Sequence, residues 1–209
     1  MSDRKEKILE VVDSLIPEIW QKSSIETGLF CEEKSVELVE GFLSAIERGI
    51  RQIIRDVGKE GMEQIRYFLF SYLHSSIFLR KYLIRLELAG DELYLKEPLA
   101  EVYWDAGDIY RLLERDIEEI QKGMEFKVPR IRSYEVDEIR YAYAPYYHGM
   151  AKEFIREMMA GIAGDCDDQT DEEEEDQVVI LFGEYMGEAE VLYRVERKKI
   201  DEIFQYLCG

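Results

Sequence analysis

The chain has 209 residues, a formal net charge of −19 and a sequence pI near 4.6. Hydrophobic residues make up 46% and aromatic residues 12%, which excludes an intrinsically disordered chain and allows a substantial core. The acidic balance argues against a nucleic-acid binder and against docking on an anionic membrane, because both need clustered Lys and Arg. It favours a basic or amphipathic protein partner, although a solvated acidic surface also accounts for the charge.

No targeting or membrane segment is evident in the sequence. The longest uncharged run, 67–79, is shorter than the about 20 residues of a membrane-spanning helix. The first ten residues are charged and lack the apolar core of a signal peptide. Cys31, Cys166 and Cys208 are odd in number and widely spaced, so no disulfide framework is expected. These features predict a cytoplasmic protein.

The N-terminal quarter predicts two helices. Apolar residues recur at helical spacing over 4–22, with a kink or break expected at Pro17 and a loop over 23–30. The second helix carries an apolar seam over 36–57, in steps of three and four residues. Such a seam either faces an internal core or lets two copies associate, so a homodimer through 36–57 stays open.

Residues 60–89 are predicted to form a buried central helix. The middle of this segment, YFLFSYLHSSIFL, is apolar on every face, which is typical of a helix at the centre of a fold. His74 is then expected to be a hydrogen-bonded core residue. Pro98 is predicted to open another helix, which ends at Gly123.

The C-terminal third mixes helical, acidic and β-like segments. A long helix over 134–162 is expected to break near Pro145. Nine acidic residues and no basic residue lie within 165–176, which indicates a surface loop or linker. Residues 178–183 are β-like, and 190–196 either pair with them as a hairpin or begin the last helix.

The predicted fold is therefore mainly α. It is a five- to six-helix bundle around the buried central helix at about 60–89, with a small β-hairpin near 178–196 as an option. We predict a helical domain over 1–163, an acidic loop or linker over 164–177, and a C-terminal β/α element over 178–209 that packs on the same domain.

Established catalytic and metal-binding motifs are missing from the sequence. Neither His74 nor His148 has a Glu three residues before it, and HExxH is absent, so no metal site is expected. Oxygen-bearing residues from Asp165 follow EF-hand spacing, but Thr170 and Asp176 replace the required Gly and Glu. GxSxG, P-loop and GxGxxG motifs do not occur, and no cofactor is expected.

An aromatic segment provides the candidate ligand site. Five tyrosines crowd 134–147, and tyrosine suits both ligand pockets and core seams, because it combines apolar area with a polar tip. The candidate ligand-binding residues, in a pocket beside the central helix, are Tyr143, Tyr147, His148 and Glu153.

Two functions stay open. The first is a protein-interaction module (adaptor, chaperone or inhibitor) whose acidic and aromatic surface holds a basic or amphipathic partner. The second is an enzyme or small-molecule binder with a Tyr/His-lined pocket around 143–153. An exposed apolar groove rimmed by acid would favour the first function, and a concave pocket near His148 would favour the second.

Overall fold

The chain folds around a five-stranded mixed sheet, so the predicted mainly α helical bundle is wrong. The computed structural model describes residues 2–125, 127–163 and 177–208. In chain order the elements are α1 (Ser2–Glu33), α2 (Ser35–Asp56), a 3₁₀ turn (Lys59–Gln64), β1 (Tyr67–Tyr72), α3 (His74–Phe78), β2 (Leu83–Ala89), β3 (Ala100–Asp105), α4 (Leu113–Met124), α5 (Ser133–Ala163), β4 (Gln177–Glu184), β5 (Ala189–Glu196) and α6 (Arg197–Cys208).

The sheet has the strand order β3-β2-β1-β4-β5. Neighbouring strands are antiparallel except for β1 and β4, which run parallel and pair from Tyr67↔Val179 to Tyr72↔Glu184. Of the two arrangements left open for 178–196, the structure has the hairpin, because β4 and β5 pair with each other. The C-terminal strands therefore complete a sheet that the first half of the chain begins.

The predicted central helix at 60–89 does not exist. Its residues form the 3₁₀ turn, β1, the short helix α3 and β2. Phe68 and Leu69 point to opposite faces of β1 and are each 1% exposed, so this strand is apolar on both sides. A short apolar run of that kind fits a buried strand as well as a buried helix. Left-handed backbone at Arg80 and Tyr82 then turns the chain from α3 into β2.

The helix predicted to open at Pro98 begins only at Leu113, because β3 precedes it. Burial alternates along β3: Trp104 is 2% exposed and its neighbour Tyr103 is 42% exposed. This alternation is the period of a strand with one face in the core. The apolar residues of the stretch also fit helical spacing, so the pattern favoured the wrong element.

Pro17 and Pro145 lie inside continuous helices, so neither predicted break occurs. The predicted loop at 23–30 is likewise part of α1. Both long helices pack along α4, and this packing offsets the backbone hydrogen bond that each proline removes.

The core lies between the sheet and helices that pack on it. α2 contacts β2 and β3, and α6 contacts β4 and β5. The middle of the seam predicted over 36–57 belongs to this core, since Ile46, Ile50 and Ile53 are at most 2% exposed. Val36 and Val57 at its ends are 64% and 46% exposed. A second copy of the chain could reach the buried middle of this seam only by opening the core.

The acidic segment predicted as a loop or linker, with its EF-hand spacing, lies outside the described residues apart from Gln177, which begins β4. None of the helices in the described ranges is long and apolar enough to cross a membrane. Over the same ranges, His, Cys, Asp and Glu side chains do not gather in the groups of three that a metal site would need.

Candidate functional site

Helix α5 carries all four predicted ligand-binding residues, but it presents them to three different surroundings. Tyr143 and Tyr147 are fully buried against a carboxylate of α4. His148 lines a cleft beside the β4–β5 hairpin, and Glu153 lines a groove beside α1. The structure therefore does not bring the four residues together in one pocket.

Tyr143 and Tyr147 bind a buried carboxylate. Asp116 is completely buried, and its Oδ2 accepts hydrogen bonds from the hydroxyls of Tyr143 (3.0 Å) and Tyr147 (2.6 Å). Its Oδ1 accepts a hydrogen bond from the hydroxyl of Ser23 (2.6 Å), and Arg115 Nε lies 3.7 Å away. We call these four residues, Asp116, Ser23, Tyr143 and Tyr147, the Asp116 cluster; they join α1, α4 and α5.

The Asp116 cluster has the chemistry of a structural site. Burial, together with the charge of Asp116 and the hydrogen bonds to it, raises the pKa of Tyr143 and of Tyr147 above the usual range. Both phenols therefore stay protonated and donate. Trp20 packs edge-on against Tyr147, with the ring centroids 5.2 Å apart. The hydroxyl donors match the carboxylate's two oxygens, so its hydrogen bonding is satisfied inside the protein.

His148 forms one wall of a cleft of about 430 Å³ between α5 and the β4–β5 hairpin, which we call the His148 cleft. The imidazole is 8% exposed and stacks on the Tyr72 ring, with 3.9 Å between centroids and 13° between planes. Phe182 supplies a second aromatic side chain. Lys152 lies at the rim, where its Nζ is 3.0 Å from Glu190 Oε1.

The imidazole of His148 is neutral at physiological pH. Burial, and to a smaller extent the charge of His74, lowers the pKa of His148 to about 3. Its Nδ1 lies 2.5 Å from the hydroxyl of Tyr110, and burial raises the pKa of that phenol. Since Nδ1 is the acceptor for this buried hydroxyl, we assign the imidazole proton to Nε2. So weak a base suits hydrogen bonding better than proton transfer at neutral pH.

His74 does not lie in the core as expected. It begins α3, its side chain is 61% exposed, and its Nε2 is 2.7 Å from Glu184 Oε1 at the end of β4. His74 was expected in the core because a central helix was predicted there. It instead lies between β1 and α3, where its side chain faces solvent.

Glu153 lies on a larger groove, of about 770 Å³, between α5 and the junction of α1 with α2. Half-buried apolar side chains from all three helices form its floor, and exposed carboxylates form its rim. We call it the acidic groove; its floor contains Trp20, Cys31, Val39, Met150, Phe154 and Met158, and its rim contains Glu32, Glu153 and Glu157.

Cys31 contributes apolar surface to the acidic groove rather than a nucleophile. Burial, with a further contribution from the charge of Asp108, raises the pKa of the Cys31 thiol. The thiol is therefore protonated at physiological pH, and the thiolate that nucleophilic chemistry requires is scarce.

A third groove, of about 980 Å³, lies between the first turns of α1 and α5. Ile8, Val12 and Ile139 line it, and Arg4 closes one end by donating to Glu135 Oε1 at 2.7 Å. Hydrogen bonds from Arg4 and from a backbone N–H lower the pKa of Glu135 to about 2. Both signs of charge occur at this rim, so the groove shows no preference for a basic or an acidic partner.

Sequence reasoning missed Asp116, Tyr72 and Tyr110. A signal for Asp116 was present, because it lies three residues after Leu113 and four before Ile120, on the buried side of α4. Neither Tyr72 nor Tyr110 could be predicted as a neighbour of His148, because their positions depend on strands whose sequences also fit helices.

Comparisons with protein-family models, curated proteins and solved structures found no match to this chain.

Proposed function

We propose that this protein is an interaction module that binds a basic amphipathic helix in the acidic groove. The observation that supports the proposal is the combination of a half-buried apolar floor with exposed carboxylates at the rim. Helix-in-groove recognition uses this arrangement, since an amphipathic helix buries one apolar face and keeps its charges at the edges.

The dimensions of the groove suit a short helix. Its α5 wall extends from Pro145 to Met158, which is about 20 Å at 1.5 Å per residue. A partner helix of about 14 residues covers that length and presents three or four apolar side chains on one face.

The floor suits an apolar helix face of variable shape. Met150 and Met158 have flexible thioether side chains, which adapt to different apolar partners. Trp20 and Phe154 add large rigid rings of the kind that anchor interfaces.

The charges select a basic partner. Glu32 on α1 and Glu157 on α5 are exposed, and they belong to different walls of the groove. Lys152 also lines the groove, but its ammonium is paired with Glu190. The net charge of −19 further accelerates encounter with basic partners, in a manner that salt weakens.

A 14-residue peptide of Leu and Lys with one helical apolar stripe tests the proposal. Trp104 is 2% exposed in the core, whereas Trp20 lines the groove, so a change in tryptophan emission reports on the groove. We expect a saturable change that weakens as salt is raised. A Leu/Glu peptide with the same stripe should leave the emission unchanged, and equal binding of both peptides would contradict the proposal.

Charge reversal locates the site. The variant Glu32→Lys/Glu157→Lys should bind the Leu/Lys peptide about tenfold or more weakly, because two rim carboxylates become cations. The control Glu118→Lys/Glu202→Lys makes the same net change at exposed positions on α4 and α6, and it should retain most of the affinity. An equal loss in both variants would show that net charge, and not this groove, governs binding.

A further inference from the structure

The His148 cleft is distinct from the acidic groove, although both touch the same ridge of α5. Pro145, Gly149 and Lys152 line both surfaces, while His148 lines only the cleft and Glu153 only the groove. A ligand of the cleft would therefore contact different chemistry from the helix proposed above.

One polar atom at this cleft lacks a protein partner. Nδ1 of His148 is occupied by the Tyr110 hydroxyl, and in the described part of the chain Nε2 takes part in no hydrogen bond. This atom is open to solvent although the residue as a whole is 8% exposed, so a ligand in the cleft could replace the water that it contacts. The adjoining space of about 430 Å³ lies within the range of small-molecule pockets.

We infer that the His148 cleft binds a planar, neutral heteroaromatic molecule that accepts a hydrogen bond from Nε2–H of His148. Tyr72 and Phe182, with ring centroids 5.8 Å apart, supply aromatic surface for such a ring system. The donor on Nε2 requires an acceptor on the ligand, such as a ring nitrogen or a carbonyl oxygen.

The charges around the cleft favour a neutral ligand. Glu188 and Glu190 lie at the rim and repel an anion. The ammonium of Lys152 is paired with Glu190, which leaves little free positive charge to attract a phosphate or carboxylate. A ring that is protonated at its nitrogen would have no acceptor there for the hydrogen bond from Nε2–H.

Quinoline and indole form a matched pair of probes. Both are bicyclic and planar, but the quinoline nitrogen accepts a hydrogen bond whereas the indole nitrogen donates one. In amide spectra of ¹⁵N-labelled full-length protein, we expect quinoline to shift the signals of Gly149 and Gly183 saturably. Indole should bind about fivefold more weakly, as expected for one lost hydrogen bond. Equal affinities, or shifts confined to other surfaces, would overturn the inference.

The variant His148→Phe/Tyr110→Phe removes the donor and keeps an aromatic ring at both positions. The second substitution is needed because His148→Phe alone leaves the buried Tyr110 hydroxyl without its acceptor. Quinoline should lose about fivefold in affinity, to the level of indole, and indole should be unaffected. A retained preference for quinoline would overturn the inference.

A measurement on the unmodified protein removes any dependence on how the variant folds. In ¹⁵N spectra of the histidine side chains, quinoline should shift the protonated Nε2 of His148 more than Nδ1, which stays bonded to Tyr110. No shift of either nitrogen at quinoline saturation would overturn the inference.

Discussion

The Asp116 cluster and the His148 cleft contain neighbouring residues of α5, Tyr147 and His148. The polar groups of the two sites nevertheless have different surroundings. In the cluster, hydroxyl donors satisfy both oxygens of Asp116, and the side chains are fully buried. In the cleft, the Tyr110 hydroxyl satisfies one nitrogen of the imidazole, and the other adjoins open space. The contrast separates a polar group whose partners all lie inside the protein from one that keeps an atom open to solvent.

Removal of the carboxylate should have the largest effect. Asp116→Ala leaves three buried hydroxyls without an acceptor, so we expect the free energy of unfolding to fall by about 3–5 kcal/mol. Urea unfolding followed by circular dichroism measures it. Tyr146→Phe, at a partly exposed tyrosine of the same helix, should change it by less than about 0.5 kcal/mol. A loss under about 1 kcal/mol in Asp116→Ala would mean that the cluster does not hold the helices together.

Gly183 tests the shape of the cleft. A Cβ at this position would collide with the carbonyl oxygen of Glu188 and with Ala189, so Gly183→Ala must displace one strand of the hairpin. We expect a destabilisation of about 1–3 kcal/mol in urea unfolding. Gly41→Ala in α2, where a Cβ meets nothing within 4 Å, is the control and should be neutral or stabilising. Equal stabilities of the two variants would contradict the close packing of this hairpin.

The neutral imidazole should make stability depend on pH. The pKa of His148 is about 3 in the folded protein and 6.5 in a free histidine. Below pH 6.5 the imidazole is therefore protonated in the unfolded chain but remains neutral in the folded chain until the pH approaches 3. The stabilisation is complete above pH 6.5 and is lost as the pH falls toward 3. From pH 8 to pH 5 we expect a loss of up to about 2 kcal/mol in urea unfolding.

The same variant used for ligand binding isolates this contribution. Acidic and basic groups common to both proteins cancel when wild type and His148→Phe/Tyr110→Phe are compared at each pH. Below pH 6.5 the unfolding free energy of the wild type should fall more steeply than that of the variant, because only the wild type contains His148. A difference independent of pH would show that His148 takes up its proton over the same pH range in the folded and the unfolded protein, which contradicts a lowered pKa.

Helix α2 could be predicted because its apolar pattern fits a helix and does not fit a strand. The seam of α2 runs from Val36 to Val57 in alternating steps of three and four residues, and the helix forms there, over Ser35–Asp56. β1 and β3 could not be predicted, because β1 is apolar on both faces and β3 has too few residues to separate a period of two from 3.6. The sheet also depends on pairing between distant segments, which local periodicity does not report.

For the candidate site, helix geometry predicts which residues share a face of α5, whereas composition does not. Tyr143 and Tyr147 are four residues apart and therefore share a face of α5, which is why both reach Asp116. His148 follows directly and points about 100° away around the helix, toward a different element. The grooves could not be predicted, because they form between elements whose positions were unknown.

The parallel pairing of β1 with β4 has a consequence for how the chain is synthesised. β1 and β2 leave the ribosome long before β4, so one edge of β1 has no partner strand until β4 emerges. That edge belongs to a strand with Phe68, Leu69 and Phe70, and an unpaired apolar edge invites pairing with other chains. The nascent chain is therefore most exposed to aggregation just before β4 emerges.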